Sequence, residues 1–450
     1  MTSHDPQTRA GLLLALFATA LLLGRTENAW ALPLHSVSDA IKYAMEHNRE
    51  LGEYELRHEQ AKRDFATKRY HWLPQVSAAG SLTRNGALPV TPVPGELFGQ
   101  PGEVVNAEFG QTYNYQTGLS VSTSVLDIRA YYAAKAAKIG AERAFASTDA
   151  FKQQLVEQVV INYFTALATR DLLRNQQSNE ADAQTLCDIV DAKMSQGVVD
   201  KTAVNRARIS QNASQLDTAQ YQDLLEQTLT NLRILLGLSS NTEITLTEPT
   251  VPPGSRLLEV PLGPDRTLKV DELQAAQTRD LFLEQRYGRL PELSVEAFLG
   301  AQQLRDDFGL SFGDGDWSRI QYVTLNLNFP LFTGFRQTNQ VKAAKAARLE
   351  AQHALERRRE ESRALDESLD RRRRISWRQV THTRENEKLS RTNAHLALKK
   401  YEEGLIDLEN YLDVLGEQRN AQAAYLNALL TYYQLVSTYL SREYRDETNS

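Results

Sequence analysis

Four short segments of the chain alternate apolar and polar residues, the pattern of a β-strand whose two sides face different surroundings. The clearest is 113–125, where every second residue from Tyr113 to Val125 is Tyr, Thr, Leu or Val and the residues between are Asn, Gln, Gly or Ser. A strand of about 9–11 residues can cross a bilayer. The pattern therefore predicts four strands, each with an apolar and a polar side, at 76–84, 113–125, 293–301 and 322–332.

Proline-free, glycine-poor stretches follow the strands and predict long α-helices. In the first of them Leu155, Val159, Tyr163 and Leu167 form an apolar stripe at four-residue spacing. A helix of roughly 65 residues is on the order of 100 Å long, so we expect such helices to pack side by side as a cylinder. The long helices are predicted at 128–194, 200–236, 337–401 and 408–440, and shorter ones at 38–70 and 270–287. The segments 85–111 and 302–319 are predicted loops.

The chain contains two copies of one plan. RYHWLPQVS at 69–77 returns 217 residues later as RYGRLPELS at 286–294. The KAAK that begins at Lys135 returns at Lys342, and the Gly-x-x-Asp that begins at Gly197 returns at Gly404, both 207 residues later. Matched landmarks in the same order indicate an internal duplication. The predicted repeats are 32–236 and 270–440, separated by an irregular connector at 237–269 and followed by a polar tail at 441–450.

Four strands cannot close a sheet, and an open strand edge exposes unpaired backbone groups. Strands with an apolar and a polar side suit a barrel with lipid outside and water inside. Aromatic residues enriched at membrane interfaces stand near the predicted strand ends, at Tyr70, Trp72, Tyr113, Tyr115, Trp317 and Tyr322. We therefore expect the barrel to be completed by other subunits.

These features resemble the TolC-like outer membrane efflux protein family. The resemblance rests on the duplicated RY-x-x-LP block, the KAAK and Gly-x-x-Asp pairs, the strand that ends in FPLFTG at 329–334, and the LDVL run at 412–415. It implies a homotrimer with a twelve-stranded β-barrel in the outer membrane, four strands per chain, continuous with a periplasmic α-helical barrel. It further implies an exit duct of a tripartite efflux pump or type I secretion system, opened by a periplasmic adaptor protein joined to an inner-membrane transporter.

The resemblance also implies two kinds of site residue at the helical tips. Adaptor docking would fall on the two glycine turns, and a pore constriction on aspartates just past them, with the choice among those aspartates left open. A plainer interpretation, a glycine that ends one helix and an aspartate that caps the next, is compatible with docking. The docking candidates are Gly197, Val198, Val199, Gly404, Leu405 and Ile406, and the constriction candidates are Asp200, Asp407 and Asp413.

The N-terminus predicts export. Arg9 precedes an apolar run at 11–23 that is too short to span a bilayer as a helix, and Ala29-Trp30-Ala31 fits a small-x-small cleavage site. We expect a signal peptide at 1–31, cleaved after Ala31, and residence in the outer membrane in contact with its lipid.

Composition narrows the function further. The net charge of −6 argues against nucleic-acid binding as the main role. The single cysteine, Cys187, excludes an intramolecular disulfide and a cysteine-type metal centre. No catalytic motif is present, and no metal or cofactor is expected. The sequence therefore predicts a passive channel rather than an enzyme, with a non-pore periplasmic coiled-coil scaffold as the alternative. It identifies neither the cargo nor the cognate adaptor and pump.

Overall fold

The computed structural model describes residues 32–99, 101–247, 262–313 and 315–444. The predicted signal peptide, the middle of the connector at 248–261 and the tail from 445 lie outside the described residues. As predicted, the chain is mostly helical with a smaller content of strand. None of the described helices combines the length and apolar content needed to span a membrane.

The elements follow one another in this order: β1 (Leu32–Leu34), α1 (Val37–His47), α2 (Arg49–Arg69), β2 (Gln75–Arg84), β3 (Val90–Pro94), β4 (Val104–Glu108), β5 (Tyr113–Leu126), α3 (Ile128–Ser195), α4 (Lys201–Leu235), β6 (Ile244–Leu246), α5 (Arg266–Tyr287), β7 (Glu292–Arg305), β8 (Ser318–Asn328), α6 (Arg336–Glu402) and α7 (Leu408–Glu443). They divide into two compact units. The sheet unit comprises Glu53–Ala150 and Asp265–Ala364, and the coil unit comprises Met1–Gly52, Phe151–Pro264 and Leu365–Ser450.

The sheet unit is built on one antiparallel sheet with the strand order β2-β5-β7-β8. The pairing register places apolar residues of the four strands opposite one another. Val76 pairs with Val121, Val121 with Ala297, and Ala297 with Val323. The neighbouring row is polar on all four strands: Gln75 pairs with Ser122, Ser122 with Glu296, and Glu296 with Thr324. One side of the sheet is therefore predominantly apolar and the other predominantly polar.

The edges of this sheet are β2 and β8, and within the described residues neither has a second neighbour. Every residue of β2 and nearly every residue of β8 is exposed. Because the sheet has an even number of antiparallel strands, its two edges run in opposite directions. A copy of β2 could therefore continue the antiparallel pattern beside β8.

The predicted single helix at 38–70 is wrong, because Asn48 divides it into α1 and α2. The Asn48 backbone N–H donates to Ala44 O at 2.9 Å, while its side-chain Oδ1 accepts from the Leu51 N–H at 2.8 Å. One asparagine thus ends α1 and caps α2. The division brings out the equivalence of α2 and α5, which begin 217 residues apart, at Arg49 and Arg266.

The prediction that 85–111 is a loop throughout is also wrong. Val90–Pro94 and Val104–Glu108 pair as an antiparallel hairpin around a short 3₁₀ helix at Gly95–Phe98. Two prolines, Pro92 and Pro94, lie within β3, which has a single partner and can accommodate residues that lack an N–H donor. In the second repeat, β7 extends to Arg305 and β8 ends at Asn328, two residues before Pro330.

The coil unit has an apolar core of large side chains. The predicted stripe of Leu155, Val159, Tyr163 and Leu167 is confirmed as buried, each at most 2% exposed. Phe164 stacks on Tyr433 with ring centroids 5.2 Å apart. Burial removes the tyrosine hydroxyl from water and raises the pKa of Tyr433 well above its ordinary value. The long helices are therefore held together mainly by packed aromatic and aliphatic side chains.

Candidate functional site at the paired helical turns

The turn between α3 and α4 is built by one glycine and one aspartate. Gly197 has a φ of +73°, a conformation that costs glycine little. It lets the Val198 N–H donate back to Lys193 O at 2.9 Å, which closes the end of α3. Three residues later the side chain of Asp200 accepts from the Ala203 N–H at 3.0 Å and caps α4.

The turn between α6 and α7 repeats this construction. Gly404 has a φ of +76°, and the Leu405 N–H donates to Lys400 O at 2.8 Å. Asp407 accepts from the Asn410 N–H at 2.8 Å and caps α7. The structure therefore gives both glycines and both aspartates the helix-ending and helix-capping roles that sequence reasoning offered as the plainer interpretation.

The four apolar side chains of the turns divide into two classes. Val198 is 67% exposed and Leu405 is 68% exposed. Val199 and Ile406 are partly buried and pack on a cluster of buried residues below the turns. Each turn thus presents one apolar side chain outward and uses the next to attach itself to the core.

The cluster below the turns joins the two hairpins within the coil unit. Tyr411 is fully buried beside Tyr401, and the two rings are stacked with centroids 6.1 Å apart. Lys193 Nζ donates to Tyr401 O at 2.6 Å and lies 4.1 Å from the ring centroid. This lysine therefore attaches the end of α3 to the end of α6 by a hydrogen bond and a cation–π contact.

The three candidate aspartates have different surroundings. The hydrogen bond from Ala203 lowers the pKa of Asp200, because it favours the ionised carboxylate. The capping contribution of Asp200 is therefore present at neutral pH and is lost as the pH falls through its lowered pKa. Asp407 is a cap as well. Asp413 is exposed on α7 and makes no hydrogen bond or ion pair with any described residue.

Asp413 lies in an open groove between α4 and α7, together with Arg206 and Arg419. Both arginines connect the two helices. Arg206 Nη1 is 3.6 Å from Glu409 Oε2, and Arg419 Nε is 3.3 Å from Asp217 Oδ2. Sequence reasoning assigned no role to either arginine. The members of each ion pair are more than 200 residues apart, so local sequence does not indicate that they meet. The internal duplication indicates only that α4 and α7 are equivalent helices of the two repeats.

A set of buried amides lies deeper in the coil unit. Gln176 Nε2 donates to Ser214 O at 3.1 Å. Asn179 donates to Gln176 Oε1 at 3.1 Å and accepts from Gln418 Nε2 at 2.9 Å. Sequence reasoning did not single out any of these residues. They cross-link α3, α4 and α7 by hydrogen bonds within an otherwise apolar packing.

Within the described ranges, no group of three or more His, Cys, Asp or Glu side chains is arranged to hold a metal ion. Asp307, within the segment predicted as a loop at 302–319, pairs with Arg305 at 2.7 Å.

Comparison with known proteins decides the family. The model of the outer membrane efflux protein family matches residues 40–238 and 258–438. The chain belongs to the outer membrane efflux protein family. No protein with curated annotation matches its sequence significantly.

Solved structures of outer membrane channels share the fold of this efflux protein. The CmeC outer membrane channel of Campylobacter jejuni superposes with a TM-score of 0.71 at 20% identity, over 90% of this chain and 85% of that one. VceC of Vibrio cholerae superposes with a TM-score of 0.69 at 16% identity, over 90% and 95%. The open-state MtrE channel of Neisseria gonorrhoeae gives 0.67 at 18% identity, over 90% and 88%. The fold is that of an outer membrane channel.

Proposed function

We propose that three copies of this chain form an outer membrane duct through which cargo leaves the cell, as part of a tripartite efflux pump or a type I secretion system. A periplasmic adaptor and an inner-membrane transporter would supply the connection and the energy. The observation that carries the proposal is the four-stranded sheet, with one apolar face and two exposed edges of opposite direction. Three such sheets joined edge to edge give twelve antiparallel strands with no remaining edge.

The same sheet disfavours the pore-free coiled-coil scaffold. The apolar row that runs across the sheet from Val76 to Val323, both of them exposed, is unfavourable on a sheet surrounded by water. Membership of the efflux family and the channel fold favour a duct, in which no residue needs to make or break a bond.

The direct test is the detergent-corrected mass of the mature protein purified from outer membranes, followed by conductance in planar bilayers. We expect three protomer masses and channel openings. A stable monomer that does not conduct would contradict the duct and would favour the scaffold.

We further propose that the paired turns dock the adaptor, with Val198 and Leu405 in direct contact and Val199 and Ile406 holding the turns in place. Gly197 and Gly404 shape the contact surface. Of the three candidate constriction residues, Asp413 is favoured because its carboxylate is not engaged, whereas Asp200 and Asp407 are occupied as caps. A ring of three carboxylates around a symmetry axis would attract cations.

Replacing Asp413 by Asn is therefore expected to reduce the cation selectivity of the reconstituted channel, because the variant lacks three negative charges at the narrow end of the pore. Reversal potentials in a salt gradient measure this. Asp407→Asn is the matched control, with the same chemical change in a carboxylate already used as a cap. Equal selectivity in both variants and the unchanged protein would remove Asp413 from the constriction.

A further inference from the structure

All four strands of the sheet join their helices at one end. β5 ends at Leu126, which pairs with Leu293 near the start of β7, and Glu292 pairs with Asn328, the last residue of β8. β2 begins at Gln75, where Thr123 Oγ1 donates to Trp72 O at 2.7 Å. We call this end of the sheet unit the junction. If the sheet spans the outer membrane, the junction lies at the level of the periplasmic leaflet.

The junction is rich in cations although the protein as a whole has a net charge of −6. Arg129 lies 3.7 Å from Glu284. The other basic residues within a few positions of the strand ends have no carboxylate partner among the described residues. The basic residues of the junction are Lys68, Arg69, Arg129, Arg286, Arg289 and Arg336. This concentration of unpaired positive charge matches an anionic group at a membrane surface.

An apolar loop lies directly beside these cations, between β8 and α6. Residues 329–335 read FPLFTGF, and Leu331 and Phe332 are 84% and 78% exposed. Phe329 and Phe335 are exposed as well, and the rings of Phe332 and Phe335 contact each other edge to face at 5.7 Å. Four large apolar side chains on seven residues are costly in water and suit the acyl boundary of a bilayer.

The junction also contains a cavity of about 480 Å³. Arg129 and Arg336 both line it, together with Pro330 of the apolar loop. The carboxylates of Asp127, Glu284 and Glu292 line it as well. Asp127 accepts from the Ala130 N–H at 2.8 Å, and Glu284 is the partner of Arg129. The two arginines are 207 residues apart and are therefore equivalent positions of the two repeats. The duplication thus brings two guanidinium groups, the groups best suited to bind phosphate oxygens, to one cavity beside an exposed apolar surface.

We propose that the junction binds a phospholipid of the periplasmic leaflet, with the headgroup phosphate at Arg129 and Arg336 and the acyl chains against the apolar loop at 329–335. This site rests on the proposed function, because it requires the sheet to stand in the outer membrane. The six basic residues of the junction outnumber the three carboxylates of the cavity, which favours an anionic group. Continuity with the apolar face of the sheet selects a lipid rather than a free phosphate. The bound lipid would fix the depth of the sheet in the bilayer.

The test is native mass spectrometry of trimers purified in mild detergent and incubated with dioleoyl-phosphatidylglycerol or with inorganic phosphate. The double variant Arg129→Gln and Arg336→Gln is expected to reduce lipid occupancy at least fivefold. The control, Arg371→Gln and Arg374→Gln, removes the same charge from the coil unit and is expected to leave occupancy unchanged. Phe332→Ser with Phe335→Ser tests the acyl contact separately and is expected to lower lipid occupancy while both arginines remain.

Inorganic phosphate at millimolar concentration is expected not to displace the lipid. Equal lipid occupancy in the arginine variant and the control would overturn the proposal, as would displacement of the lipid by phosphate alone. If the arginine variant does not assemble, unchanged lipid occupancy in the phenylalanine variant would overturn it. Conductance separates this outcome from failure of the proposed function. If the trimer conducts but its lipid occupancy is the same in the arginine and phenylalanine variants as in the unchanged protein, the lipid site alone is refuted. If the protein forms no conducting trimer, the duct is refuted.

Discussion

Arginine at position 323 is expected to prevent stable assembly of the protein in the outer membrane. Val323 lies at the middle of β8, is 75% exposed and pairs with Ala297 on the apolar face of the sheet. An arginine on the lipid face of a barrel near the bilayer midplane costs about 2–4 kcal/mol. In a trimer each of the three copies bears this cost. The loss is measured as the amount of trimer in outer membrane fractions. The trimer is recognised on gels by the change in its mobility on heating.

Thr324→Arg is the matched control, because it introduces the same side chain one residue further along the same strand. Thr324 pairs with Glu296 on the polar face, where an arginine meets water and a carboxylate. Trimer yield is expected to stay near that of the unchanged protein, with a shift in ion selectivity. If Thr324→Arg abolished assembly and Val323→Arg did not, the assignment of the lipid and water faces would be reversed.

Aspartate at both Val198 and Leu405 is expected to abolish efflux in cells while leaving the channel intact. These two side chains are the exposed apolar residues of the turns and make few contacts within the chain, so their replacement has little effect on folding. In a docked complex the same replacement would bury two unpaired charges per protomer. The desolvation cost of these charges is larger than the binding free energy that most single interface contacts contribute. Survival of cells challenged with the exported compound measures efflux, and crosslinking to the adaptor measures docking.

Gln196→Asp is the control for the turn variant, since it adds a negative charge within the first turn but removes no apolar contact. It is expected to retain most of the efflux. Conductance of the purified double variant must equal that of the unchanged protein, which separates loss of docking from loss of the pore. Normal efflux by the double variant would show that the turns do not dock the adaptor.

The fold class was predictable because its signal is periodic. Alternation along 113–125 and the stripe from Leu155 to Leu167 both result from burial of one side of the element. Both patterns can be recognised in the sequence even though the surface that covers that side is unknown. The break at Asn48 was not predictable in this way. The Asn48 side chain stabilises the break by accepting from the Leu51 N–H and donating to Leu235 O, and Leu235 is distant in sequence. The β3–β4 hairpin was hidden by prolines that an edge strand accommodates.

The site was predictable only in part, for a related reason. Gly197, Asp200, Gly404 and Asp407 act within their own turns, so local sequence carries their roles. Which apolar neighbour faces outward depends on the cluster below the turns, and the sequence alone ranks Val198 and Val199 equally. The contact of Lys193 with Tyr401 depends on two hairpins meeting in space.

The buried amides of the coil unit restrict how the helices can move. Asn179 on α3 holds Gln418 on α7, and Gln176 holds Ser214 on α4. A slide of one helix past another by a turn, about 5.4 Å, would separate these pairs and leave buried amides unpaired at about 1–3 kcal/mol each. Tilting or rotation of the helices as a bonded group preserves them. This packing therefore permits the duct to widen by tilting of the helices as a group. It disfavours widening by sliding of one helix along another.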